Sequence, residues 1–150
     1  MLMTGSPPVD AERAFTRMRR SRRRAALKRF VRREPATHGQ LPVYDERELH
    51  GRARLRLGLH EIPLDAIRST LEPNKAPLFD RDFRPAPIAR TRWQRLWLAE
   101  HRGAVLPPIS VVAVGDAYAI RDGHHRVSVA RARGAVMIDA VVGSATDPGT

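Results

Sequence analysis

The 150 residues hold 27 Lys or Arg against 16 Asp or Glu, a formal net charge of +11, with twelve prolines and no cysteine. Disulfides, thiolate metal sites and thiol nucleophiles are therefore excluded. So is a membrane-spanning helix, which needs about 18 or more consecutive apolar residues. The length suits one domain with an appendage, and the first ten residues lack an apolar signal core, so a cytoplasmic protein is expected.

The charge is concentrated at the start. Through Glu34 there are eleven Lys or Arg against Asp10, Glu12 and Glu34, so eight of the eleven net positive charges fall there. Residues 11–33 contain no proline or glycine and place Phe15, Met18, Ala26 and Phe30 near helical spacing, which predicts a basic helix with a thin apolar face. Arg19, Arg20, Arg22, Arg23, Arg24, Lys28 and Arg29 are its candidate contacts to DNA or RNA. An anionic membrane surface, an acidic protein, or water alone are the other surroundings open to such an arm. Pro35, Gly39 and Pro42 discourage continuation of the helix, so residues 1–40 read as arm and linker, 41–145 as a domain and 146–150 as a tail.

Within the domain, residues 45–49 favour a short helix, while residues 53–57 alternate like a strand that would put Arg52, Arg54 and Arg56 on one face. A strand is expected over residues 61–67. The following loop, residues 74–87, is punctuated by prolines and carries Asp80, Arg81, Asp82 and Arg84. These four either line a site or simply pair with one another at the surface. Thr91 is expected to cap a helix that runs to residue 102, ends at Gly103 and buries Trp93, Leu96 and Trp97 from one face. The alternative for the tryptophans, stacking on bases, is opposed by their common helix face and by the scarcity of other aromatics.

Pro108 precedes an apolar strand at residues 109–112, Gly115 and Asp116 make a turn, and a second strand follows at residues 117–120. Next come Asp122-Gly123-His124-His125-Arg126, with Gly123 as a turn into a helix over residues 127–133, Gly134 as its terminator and a closing strand at residues 136–142. A strand–glycine–helix junction exposes the helix's first amides and favours an anion, phosphate above all. Arg126 adds a planar fork of donors, and His124 and His125 add donors without a fixed charge. Asp122 is the candidate catalytic residue, as a Mg²⁺ ligand or general base. A plainer reading has Gly123 as a turn only, the histidines on backbone carbonyls, and Arg126 paired with Asp122 or Asp139. A zinc site is disfavoured, since adjacent histidines project differently and no third ligand has a matching spacing.

The order of features from residue 103 to residue 142 resembles the N-terminal domain of ParB proteins and its relative sulfiredoxin. Gly103, Pro108, the hairpin, the glycine box 123–130 and Gly134 recur in that order, and residues 62–67 resemble the family's first strand. About half of the chain is covered. The resemblance implies an α+β fold, a small mixed sheet with packed helices, here preceded by the basic N-terminal helix. It further implies a nucleotide-binding module whose phosphates lie on Gly123, His124, His125 and Arg126, with ATP or CTP and Mg²⁺ as cofactor, while contact of the arm with nucleic acid is expected from its charge. ParB boxes usually carry an acidic residue and more arginines where this chain has His124 and His125. Sulfiredoxin has its catalytic cysteine at the position of His124, so its chemistry is excluded. The Asp-Gly-His-x-Arg wording is also similar to kinases that phosphorylate free serine. A small-molecule kinase, a ParB-like nuclease and a protein-binding adaptor therefore stand as alternatives.

Overall fold

In the computed structural model, which describes residues 5–49 and 57–143, three helices cover one side of a five-stranded mixed sheet. The strands are β1 (Gly58–Pro63), β2 (Ile67–Thr70), β3 (Ile109–Val114), β4 (Ala117–Asp122) and β5 (Met137–Gly143). The helices are α1 (Pro7–Val31), α2 (Arg90–His101) and α3 (His124–Ala132). The α+β architecture with a leading basic helix is the one expected.

The sheet order is β1-β5-β3-β4-β2. The pairs β1–β5 and β3–β4 are antiparallel, while β3–β5 and β2–β4 are parallel. The single strand expected over residues 61–67 is in fact two, lying at opposite edges of the sheet. Pro63 ends β1, a 3-10 turn at Leu64–Ala66 redirects the chain, and Ile67 starts β2 beside Tyr118. Four Cα steps reach at most about 15 Å. A flat five-stranded sheet measures about 19 Å from edge to edge. The sheet must therefore curl strongly, and its concave side holds the main core of Ile62, Leu64, Ile109, Val111, Ile120 and Val142, among others.

Helix α3 lies between this core and a second one. Val127 and Ala130 face the sheet, while Val129 joins Ala11, Ala14, Phe15, Trp93 and Trp97 beneath α1 and α2. Both tryptophans are thus core residues. Phe15 meets Trp93 edge-on at 5.4 Å between ring centroids. Trp93 Nε1 donates to the buried Ser128 hydroxyl at 2.8 Å and so fixes α2 against α3. Trp93→Phe is expected to cost about 1–3 kcal/mol, because it leaves the Ser128 oxygen desolvated and without its donor. Urea unfolding would measure this, and an unchanged midpoint would show that the bond contributes nothing net.

Several boundaries differ from expectation for local reasons. Helix α1 begins at Pro7 rather than residue 11, since prolines fit the first helical positions, where the missing N–H has no partner to lose. Its apolar stripe serves only the first half: Phe15 is buried and Met18 partly so, but Ala26 and Phe30 are exposed. With 25 residues against 12, α1 is about 37 Å long and outruns α2, at about 18 Å. Thr91 lies inside α2, whose cap position is Ala89 at the end of a 3-10 turn. Residues 46–49 form a 3-10 turn, whereas the strand proposed for residues 53–57, with Arg52, Arg54 and Arg56, lies outside the described residues. Among the described residues, no helix is long and apolar enough to cross a membrane.

Candidate functional site

The junction from β4 into α3 is built by Gly123. Its φ of 110° lies in the left-handed region, and a Cβ there would sit 2.5 Å from Cγ2 of the buried Ile109. Only glycine makes this turn without strain. Val127 N–H donates to the Gly123 carbonyl at 3.0 Å, which makes Gly123 the cap and starts α3 at His124, three residues earlier than expected. Both histidines therefore belong to the first helical turn. No side chain caps this end, so the amides of His124, His125 and Arg126 have no intrahelical acceptors.

His124 is anchored from below. Its Nε2 lies 2.7 Å from Thr70 Oγ1, at the end of β2. That hydroxyl also accepts the Glu72 N–H at 2.9 Å and donates to the Ile120 carbonyl at 3.2 Å. With its one proton committed to Ile120, Thr70 must accept from Nε2–H, which assigns the tautomer and leaves the Nδ1 lone pair of a neutral ring. His125 is also buried, at 6% exposure, yet among the described residues its ring makes no hydrogen bond. Phe79 stacks on His124 at 6.2 Å and meets His125 edge-on at 5.1 Å. Burial is the main cause that pulls both imidazoles down to about pH 4. Lys75 and then His125 are the leading charges that add to this for His124, and Arg92 and Lys75 for His125; Asp122 opposes it weakly at His124.

Arg126 is engaged in structure. Nη1 donates to the carbonyls of Pro107 and Pro108 at 2.7 and 2.9 Å, and Nη2 to Asp122 Oδ2 at 2.9 Å. The arginine thus staples the α2–β3 loop to the junction and pairs with Asp122, as in the plainer of the two readings above. Asp122 keeps a side chain 72% exposed at the rim.

What lies over the free amides is a recess of about 50 Å³ lined by Lys75, Arg92, Leu96, Asp122, Gly123, His124, His125 and Arg126. That is far below the 300–1,000 Å³ of an ordinary ligand pocket and suits a single phosphoryl group. Lys75 and Arg92 were not singled out from the sequence. Lys75 sits in the proline-punctuated loop with nothing to distinguish it, and the only signal for Arg92 was its place beside Trp93, a residue already assigned to the core. Thr70 gave none.

The four loop candidates are elsewhere. Asp80 is buried and accepts the amides of Asp82 and Arg84 at 3.0 and 2.9 Å, while Arg84 Nη1 bridges Asp80 and Asp82 at 3.3 and 3.2 Å. These bonds hold the turn in which Phe83, itself buried, takes a φ of 60°. Arg81 donates to the His38 carbonyl at 3.1 Å and, with Asp82, lines a separate cavity that also includes Arg131. Neither Asp80 nor Asp82 joins Asp122 in the recess. Among the described residues, no group of three or more His, Cys, Asp or Glu could hold a metal ion.

On α1, the seven arm residues divide by face. Arg19 donates to the Pro85 carbonyl at 3.5 Å, Arg22 has a buried Nη1 with no partner among the described residues, and the Arg29 guanidinium packs over Gly39. Arg20, Arg23, Arg24 and Lys28 are exposed.

No protein-family model and no curated protein matches this chain. Among solved structures, the chain is similar to sulfiredoxin from Arabidopsis thaliana. The identity is 22% over 57% of this chain and 84% of the sulfiredoxin chain, with a TM-score of 0.38.

Proposed function

We propose that this is a cytoplasmic phosphate-binding module that holds the phosphate end of a nucleoside triphosphate at the start of α3 and contacts nucleic acid through α1. The observation that carries the first part is a single recess where uncapped helix amides, two cations, Lys75 and Arg92, and the unbonded ring of His125 converge. Each favours an anion: the amides and helix dipole by orientation, the cations by charge, and neutral His125 as a donor that leaves the site's charge unchanged. His124 contributes its amide, its ring being committed to Thr70. Base and ribose of such a ligand lie outside the small recess. ATP and CTP are the two nucleotides to try first, with Mg²⁺ arriving on the phosphates and Asp122 as the carboxylate at the rim.

The test is calorimetric titration with ATP, CTP and GTP, with and without Mg²⁺. Saturable binding is expected, weakened by about 100-fold or more in Lys75→Ala/Arg92→Ala, as two charge-assisted contacts of about 1.5–3 kcal/mol each are lost. No binding to any triphosphate by the parent chain would refute the proposal.

The exposed Asp122 carboxylate beside the recess favours one further reading, phosphoryl transfer to a small hydroxyl compound with Asp122 as base. Asp122→Asn would then abolish turnover while leaving nucleotide affinity near its parent value. Equal turnover in the variant would remove Asp122 from any mechanism.

A further inference from the structure

The outward arc of α1 bears Arg13, Arg17, Arg20, Arg24 and Lys28 at steps of three or four residues, a line about 22 Å long on one side of a continuous helix. Arg23 and Arg32 flank it, also exposed. No carboxylate follows Glu12 until Glu34, and Glu12 itself is committed to Arg90 and Gln94. Like charges thus stand at i,i+3 and i,i+4 without any intervening acid, an arrangement that disfavours an isolated helix. The opposite face of the same helix is fixed: Ala11, Ala14 and Phe15 lie in the second core, and Arg19, Arg22 and Arg29 turn toward the protein. The cationic line is therefore held rigidly outward. Arg17 also reaches the Ala132 carbonyl at 3.2 Å.

We infer that this arc of α1 docks lengthwise in the major groove of duplex DNA, with Arg13, Arg20, Arg24 and Lys28 on or near the phosphates. The inference rests on the nucleic-acid part of the proposed function and names its partner. An α-helix about 10–12 Å across fits the groove of B-DNA, about 12 Å wide, whereas the major groove of duplex RNA is too narrow to admit it. Single strands are held by stacking on aromatic platforms, but both tryptophans are buried and Phe30 is the one aromatic exposed on α1. A membrane surface would require an apolar face along the helix. The large exposed apolar residues, Leu27, Phe30 and Val31, are gathered at the last turns, and Val9 stands apart near the start.

The test is fluorescence anisotropy of the full chain with a 20-base-pair DNA duplex, the matching single strand, the matching RNA duplex, and vesicles containing phosphatidylserine, across a salt series. Duplex DNA is expected to bind tightest, with log K falling against log salt at a slope of about −3.6 for four phosphate contacts. Arg20→Ala/Arg24→Ala should reduce that slope by about 1.8 and the affinity at least about tenfold. Arg22→Ala/Arg29→Ala removes the same charge from the inward face and should leave the slope near its parent value. Equal loss in both pairs would show that net charge alone matters and overturn the docking face. Tighter binding to the single strand or to the RNA duplex would overturn groove docking while leaving nucleic-acid contact standing. Absence of binding to every nucleic acid, or preference for vesicles, would remove both.

Discussion

Replacing Gly123 with alanine is expected to destabilise the protein by about 3 kcal/mol or more and to abolish the anion binding proposed for the junction. Two costs combine. A side chain at φ 110° is strained, by about 1–3 kcal/mol, and its Cβ would meet Ile109 at 2.5 Å, where that residue is fully buried in the main core. Relief requires either that Ile109 shift within a close-packed core or that the first turn of α3 lift away, and the second course removes the amides from the recess. Urea unfolding with triphosphate titration of whatever remains folded would measure both effects. A loss of stability below about 1 kcal/mol, with binding retained, would mean that the chain does not make the left-handed turn at this position.

Acidification should produce the second large effect. His124 and His125 titrate near pH 4 in the folded protein against an ordinary value of 6.5, chiefly because burial disfavours their charged forms. Between those two values the unfolded chain binds more protons than the folded one, so stability rises with pH across this range. The contribution is fully present above about pH 6.5, declines as the pH falls, and is gone below about pH 4. Each histidine is worth roughly 3 kcal/mol at most, with a slope approaching 1.4 kcal/mol per pH unit where the difference in proton binding is complete. Interaction between the two neighbours keeps the total below twice that. The window from pH 6.5 to 5 lies above the ordinary carboxylate range, and a Glu100→Gln background removes the carboxyl that burial pushes upward, so that the histidines are isolated. A flat stability there would show that these rings are not buried in the neutral form.

The two experiments address a junction whose outline was legible in the sequence and whose workings were not. Glycine marks positions where the backbone needs positive φ, and Gly103, Gly115, Gly123 and Gly134 all have it, so turns and helix ends were readable. The tryptophan spacing likewise identified a buried face. Function was harder because charged residues can serve two purposes. Arg126 reads as a phosphate fork from the sequence, and its guanidinium also staples the Pro107 and Pro108 carbonyls. Asp80 looked like a possible ligand and holds the turn around Phe83. Lys75 and Arg92 converge only because a loop and a helix are folded onto the start of α3, a juxtaposition that spacing along the chain does not encode. The split of residues 61–67 between two sheet edges was hidden for a similar reason: Leu64 and Ile67 are buried as strand residues would be, although the pairing changes between them.

That change of edge has a consequence for how the protein comes into being. The strand Gly58–Pro63 finds its partner in Met137–Gly143, roughly eighty residues later, and Ile67–Thr70 pairs with a strand some fifty residues on. Neither edge can be completed while the later segment is still within the ribosome. The curled sheet therefore closes late, by contacts of high sequence separation, and folding is expected to be slow for a chain of this size. Until the final strand is in place, the apolar face that its Ala140 and Val142 complete stands open to water.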